Sequence, residues 1–314
     1  MQQVNSRKNI FSIKDKKNVK WCWIFMLPTI ILYLIFTAWP IFSSFYYATM
    51  NWSGLSVTKE FVGLKNFIEV AKDPYFWSAY WNSFKFMFGV VPIHLVIGLL
   101  LAVVLNNKLL KFAKVYRTLF FLPVVTTASI VGIIMIFILG ADGPVNSLLM
   151  SIGLIKNPIN WLGDPKHAMG SVILISGWKN LGINMIYWLA ALQSIPSELY
   201  EAAKVDGCNS RQIFRHITFP LIIPIGAVIA LLNIVGSLKV FDIVKTMTNG
   251  GPFFSTDVVS TYIYRYAFSS EMGLPRIGYA SAAGIFFGIT IIIVGFTANY
   301  FKKKIKQKSS LTQN

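Results

Sequence analysis

Apolar residues gather in six long runs along the chain, at 21–42, 84–106, 119–139, 170–193, 219–238 and 280–301, and polar residues gather between them. Each run is long enough for a helix that crosses a bilayer core, which takes ~20 residues at 1.5 Å per residue. None of the six holds an aspartate or glutamate. The pattern predicts an all-α fold: a polytopic membrane helical bundle of six transmembrane helices. It divides the chain into a membrane domain at 21–301 and two basic tails at 1–20 and 302–314. The first run follows Lys14, Lys16, Lys17 and Lys20, as the core of a signal peptide would. It is too long for that, and no small-residue cleavage site follows, so it is expected to be an uncleaved first span. Trp21, Trp23 and Trp39 suit the two membrane interfaces.

Composition agrees with the pattern. Apolar residues make up 55% of the chain and charged residues only 13%, about half the charged share of a soluble domain. Disorder is excluded by the same hydrophobicity. The net charge of +17 invites a nucleic-acid partner until the cations are placed. Eighteen of them lie in the two tails and in the second and fourth connections, and nine lie in the other three connections. That asymmetry predicts cytoplasmic termini. It accounts for the charge as membrane topology, and nucleic acid is not expected as a partner. Cys22 and Cys208 show neither a disulfide framework nor zinc-ligand spacing. His94, His167 and His216 are scattered, and no metal site or cofactor is expected. No phosphate-cradling G-x-x-x-x-G-K-[ST] occurs, nor H-E-x-x-H, nor G-x-S-x-G, so the chain is not expected to be an enzyme.

The fourth connection, 195–220, is the most structured polar stretch. Ser197 after Pro196 is expected to cap a short helix, with Glu198 in its first turn, where the helix dipole favours an anion. Gly207 is placed to end that helix in the left-handed region. Asn209 and Gln212 have capping-box spacing for a second helix. Pro220 marks the entry to the fifth span. Leu199, Ala202, Ala203 and Asp206 form a narrow stripe at helical spacing. Two adjacent alanines would let another surface approach closely, which fits a knob for a partner's cleft; the same helix could instead lie on the membrane surface.

Glu201-Ala202-Ala203, then Gly207, Ile217 and Pro220 at these separations, resemble the EAA loop of binding-protein-dependent ABC importer permeases. Phe219 stands where that family usually has leucine. The stretch from Phe61 to Phe67 (FVGLKNF), the run Thr248-Asn249-Gly250-Gly251-Pro252, and the first span with Pro28 and Pro40 resemble the sugar-uptake branch of the same family. The likeness covers essentially 20–301. It implies one half of a heterodimeric permease in the bacterial plasma (inner) membrane, transporting sugars, with oligosaccharides the expected class. The implied partners are a second homologous permease subunit, two ATPase subunits and an extracellular sugar-binding protein, all assembled in a lipid membrane. Glu201, Ala202, Ala203, Asp206, Gly207, Ile217 and Pro220 would then form the loop that couples to the ATPase.

Polar residues inside the spans mark where a sugar could pass. Ser176, Asn180 and Asn184 recur at i, i+4 and i+8 on one helix face, with Lys179 beside them and Trp178 and Trp188 nearby. Asn233 and Ser237 lie one turn apart on the fifth span, near Gly226 and Gly236. Amides and hydroxyls suit sugar hydroxyls, but small and polar residues also hold membrane helices together, and the spacing fits both. His94 is expected to be a hydrogen-bonded structural residue. The rival function is an ion-coupled secondary transporter. Such proteins commonly relay ions through intramembrane carboxylates, which these six runs lack.

Overall fold

The computed structural model describes residues 14–107, 110–269 and 273–311. Of the cations counted above, Arg7, Lys8 and Lys108 lie outside the described residues. The chain is mostly helical. Helix α1 runs Lys14–Tyr33, passes through a π turn at Leu34–Ala38, and continues as Trp39–Ala48. A short hairpin pairs β1 (Met50–Asn51) with β2 (Glu60–Phe61), and α2 (Lys65–Lys72) follows. Then come α3 (Pro74–Leu105), α4 (Ala113–Val125), α5 (Ala128–Ile138), α6 (Pro144–Ser151), α7 (Pro165–Gln193) and α8 (Ser197–Val205). The chain closes with α9 (Ser210–Leu238), α10 (Asp242–Met247), α11 (Val259–Phe268) and α12 (Ile277–Leu311).

A proline sits just past the widened turn in two of the long helices. In α1 the π turn ends just before Trp39-Pro40, and in α9 a π turn at Phe214–Thr218 ends just before Phe219-Pro220. Proline has no N–H to donate and its ring crowds the carbonyl four residues back. A local i→i+5 turn takes up that mismatch without breaking the helix. A third π turn, Ile93–Ile97 in α3, follows Pro92 directly.

Four helices among the described residues are long and apolar enough to cross a membrane: α3, α9 and the stretches Lys20–Ala48 and Ile277–Tyr300. The expected third span, 119–139, is not straight. It falls on α4 and α5, which meet at 97° and together make at most one broken span. Pro123 sits in the last turn of α4, and Thr127 restarts the chain as α5 by accepting from the Ile130 N–H at 3.4 Å. The expected fourth span, 170–193, falls on α7. That helix is 29 residues long, yet polar residues at 176, 179, 180 and 184 keep it from matching the apolarity of the other four. It is shielded by its neighbours, packing along the second half of α3, along α4, and against α9. Among the described residues four helices are long and apolar enough to span, or five with the bent pair, where the hydropathy pattern predicts six.

Two apolar clusters hold the ends of this bundle. Met185, Trp188, Leu192 and Ile222 join α3, α7 and α9 near the α8 end. Phe76, Tyr262, Ala283 and Phe287 join α3, α11 and α12 at the other end. Asn66, from the FVGLKNF run, is buried there and donates to the Ala48 and Met50 carbonyls at 2.9 Å each, tying α2 to the end of α1. Helix α1 is different in kind: none of its apolar window is buried within the chain.

Candidate functional site

Helices α3, α7 and α9 enclose a cleft of about 300 Å³. All five residues expected on the path line it: Ser176, Asn180 and Asn184 from α7, Asn233 and Ser237 from α9. Helical spacing is the cause on each helix, since residues three or four apart share a face. Packing of α7 against α9 turns the two faces toward each other. The cleft also takes in His94 from α3, as the separate polar stripes did not indicate.

The polar groups form a connected chain. The His94 imidazole Nδ1 and the Asn233 Oδ1 are 2.7 Å apart, and because an amide oxygen only accepts, the ring nitrogen donates. The Asn233 amide donates to the Asn184 Oδ1 at 2.6 Å and to the Ile229 carbonyl at 2.8 Å. Asn184 donates to the Asn180 carbonyl at 3.0 Å, and Asn180 to the Ser176 carbonyl at 3.3 Å. The Ser237 hydroxyl donates to the Asn233 carbonyl at 2.7 Å. His94, Ser176, Asn184 and Ser237 are buried, while Asn180 and Asn233 are part-exposed to the cleft. His94 is thus hydrogen-bonded, as expected, and it is also a wall of the cleft. The signal that could have found it is an ionisable side chain inside an apolar run.

Other expectations shift. Neither Trp178 nor Trp188 faces the cleft; its aromatic walls are Phe86 and Tyr187. Trp188 packs into the apolar cluster, where its ring fills the space a side chain at Gly226 would need. Gly236 does line the cleft. Lys179 is 7% exposed and stands midway along α7, with its ammonium in no hydrogen bond or ion pair of the described residues. One turn on, Gly182 lets α4 approach so closely that a Cβ would strike the Phe120 carbonyl oxygen.

The connection between α7 and α9 carries the second candidate region. The N-cap of α8 is Pro196, so Ser197 lies one place inside the helix and makes no side-chain cap. Proline's fixed φ suits that entry. At the other end the expected geometry is complete. Gly207 has φ +74°. Its N–H donates to the Lys204 carbonyl at 3.1 Å, and the Cys208 N–H to the Ala203 carbonyl at 2.9 Å; these two bonds make a Schellman motif. Asn209 and Gln212 form the capping box, with bonds of 2.8 and 2.9 Å. The expected stripe splits. Leu199, Ala202 and Asp206 are exposed with Glu201, whereas Ala203 is 5% exposed and packs inward. The two alanines therefore do not share one approachable surface. Tyr200, which the spacing did not single out, bonds through its hydroxyl to the buried Thr218 at 3.2 Å and ties α8 to α9. Ile217 is half-buried and Pro220 exposed, both in the first half of α9.

At the opposite end, the run Thr248 to Pro252 leads into a tightly held loop. Asn249, Phe253 and Phe254 all have positive φ. Beneath it Asp257 pairs with Arg265, and both are buried. Burial pushes the Asp257 carboxyl above the usual carboxylate range, and the Arg265 charge opposes that shift. Asn82 of α3 donates to the Phe254 and Asp257 carbonyls at 3.1 Å each. Nearby, Arg276 holds Glu69 through two bonds of 2.7 Å, which keeps the Glu69 carboxyl below its usual range.

Known proteins resemble this chain in sequence and in fold. The family model described as binding-protein-dependent transport system inner membrane component matches residues 94–307. The probable ABC transporter permease protein YurN of Bacillus subtilis (strain 168) is 36% identical, over 89% of this chain and 95% of its own length. The lactose transport system permease protein LacF of Rhizobium radiobacter is 34% identical, over 90% of this chain and 94% of its own. Among solved structures, a chain of the bacterial alginate ABC transporter, crystallised in complex with an alginate pentasaccharide-bound periplasmic protein, superposes with a TM-score of 0.80. It is 28% identical and the match covers 93% of this chain and 97% of that one.

Proposed function

The chain belongs to the inner-membrane components of binding-protein-dependent transport systems, and from that premise we propose that it forms half of the membrane path of an ABC importer for sugars, oligosaccharides included. The observation that carries this reading is convergence. Five polar residues from two membrane helices meet His94 in one cleft, and the loop joining those same two helices presents a capped, exposed helix. Lactose in the name of one relative, and the alginate pentasaccharide on the periplasmic protein of the similar transporter, support the substrate class.

In this reading the chain crosses the bacterial inner membrane six times, through α1, α3, the bent α4–α5 pair, α7, α9 and α12. Residues 21–301 form the membrane unit, and the tails 1–20 and 302–314 are cytoplasmic with the loop at 195–220. The cation asymmetry supports that orientation. Helix α7 tolerates its polar face because that face lines the path rather than lipid. Sugar hydroxyls would exchange hydrogen bonds with the amides of Asn180, Asn184 and Asn233 and the hydroxyls of Ser176 and Ser237. The rings of Phe86 and Tyr187 would cover the apolar faces of the pyranose.

A second homologous permease would close the open side of the cleft. An extracellular sugar-binding protein would deliver the substrate, and two separate ATPase subunits would supply energy, so that this chain performs no ATP chemistry of its own. Closure of the ATPases is transmitted through Glu201, Ala202, Asp206 and Gly207 on the exposed side of α8. The bond from Tyr200 to Thr218 ties α8 to α9, and Ile217 and Pro220 lie beside that tie on α9, so a push on the loop would move the helix that carries Asn233.

The test is Ala202→Trp. The side chain is exposed, so the chain should fold and insert normally while the ATPase no longer co-purifies. A helix lying on lipid would instead gain from an interfacial tryptophan. Undiminished ATPase recovery would overturn the docking role.

A further inference from the structure

Three helix ends meet where α3 passes into the broken span: the end of α3 at Leu105, the start of α4 at Ala113 and the end of α7 at Gln193. A cavity of about 650 Å³ opens between them. Membrane helices end at the bilayer surface, which puts this cavity at the depth of lipid headgroups. Its charged lining is entirely cationic. Lys111, Lys114 and Arg117 face it with the amides of Asn106 and Gln193, and no carboxylate among the described residues does.

Arg117 is half committed. One terminal nitrogen donates to the Leu105 carbonyl at 2.6 Å, while its Nε is buried with no hydrogen-bond partner among the described residues. A buried donor without an acceptor is costly, and a guanidinium presents its remaining donors in a geometry that matches a phosphate. The first turn of α4 has the same sign. Phe112 offers it no side-chain cap, and no acid lies within it, so no carboxylate of that turn offsets the positive end of the helix dipole. Beside these groups, Phe112 and Val115 line the same cavity and are exposed.

We propose that this cavity is a binding site for an anionic phospholipid. Arg117 and Lys114 hold the phosphate, Lys111 stands at the mouth, and the acyl chains lie along Phe112 and Val115. Basic pockets between membrane helices recognise acidic headgroups by this combination of point charges and apolar shoulder. A free phosphate would satisfy the cations but leave the shoulder uncovered, which favours the lipid. The site is separate from the sugar cleft and does not depend on which substrate is carried.

The test is native mass spectrometry of the full chain purified with its co-expressed partner subunits, titrated with phosphatidylglycerol or phosphatidylcholine. The expected result is one phosphatidylglycerol retained at concentrations where phosphatidylcholine is lost. The double variant Lys111→Gln, Lys114→Gln changes only exposed side chains. It should weaken retention at least tenfold with subunit stoichiometry unchanged, while Lys156→Gln, outside the cavity, should leave retention at the wild-type level. Equal retention of both lipids, no retained lipid, wild-type retention by the double variant, or displacement of phosphatidylglycerol by equimolar inorganic phosphate would each overturn the proposal.

Discussion

The cleft and the loop at 195–220 satisfy their polar groups in opposite ways. In the loop every cap is local: Gly207 closes α8 on its own last turn, and Asn209 and Gln212 bond to each other three residues apart. In the cleft the key bonds cross helices, from His94 on α3 to Asn233 on α9 to Asn184 on α7. The difference teaches where damage should spread. A change in the loop should alter one helix end and whatever docks there, while a change at Asn233 should reach three helices at once.

Asn233→Leu therefore carries the largest expected effect. It strips a partner from His94 and another from Asn184, both buried, at about 1–3 kcal/mol each. Sugar uptake and complex recovery from the same membranes separate two meanings of that loss. A path residue should lose uptake well beyond recovery; parallel losses would mean that the network only holds helices together, and the contrast with the loop would become one of packing alone.

Next in size is Ala203→Trp. Ala203 is buried, so a large ring there should overpack the seat of α8 at a cost of about 1–3 kcal/mol or more. The variant should lower the melting temperature of the purified chain, which the exposed Ala202→Trp should leave within a degree or two. Equal melting temperatures for the two would show that the alanines share one exposed face after all.

Gly207→Ala should cost about 1 kcal/mol. Its φ is +74°, and a Cβ would meet nothing within 4 Å, so the penalty is conformational and not steric. Gly207→Asn, which tolerates the left-handed region, should recover most of the lost stability in a thermal melt. If both variants melted alike and well below wild type, contact and not backbone geometry would be the cause.

The smallest effect belongs to Glu69. Its carboxyl is held low by Arg276, so its stabilising contribution is present above the unfolded pKa of ~4.3 and fades as pH falls through the lowered native value. Both partners are partly exposed, and screening keeps the contribution small. Melting temperatures of wild type and Glu69→Gln should differ slightly at pH 7 and converge in acid. A gap that widened in acid would reverse the sign.

Much of this was legible in the sequence because it is local. Helix faces follow from spacing, so Ser176, Asn180 and Asn184 could be grouped, as could Asn233 and Ser237. Caps and the left-handed glycine follow from residue types a few places apart. What the sequence hid depends on how helices meet. The bonded pair His94 and Asn233 is 139 residues apart, and no periodicity links them. The 97° break between α4 and α5 falls at Thr126 and Thr127 inside the third run, and hydropathy averaged over the whole run carries no direction. Ala202 and Ala203 look equivalent until packing sends one inward. Tyr200 passed unnoticed because its partner, Thr218, belongs to the next helix.

The central claim is that a sugar path in the membrane is worked by ATP hydrolysis in a separate subunit docked on α8. Its most direct test is uptake of a labelled oligosaccharide by vesicles containing this chain, its partner permease, the ATPase and the binding protein. Uptake is expected to require ATP in the ATPase-facing compartment, to persist when proton and sodium gradients are collapsed, and to fail with Ala202→Trp. Uptake driven by an ion gradient without ATP, and unchanged by that substitution, would contradict it.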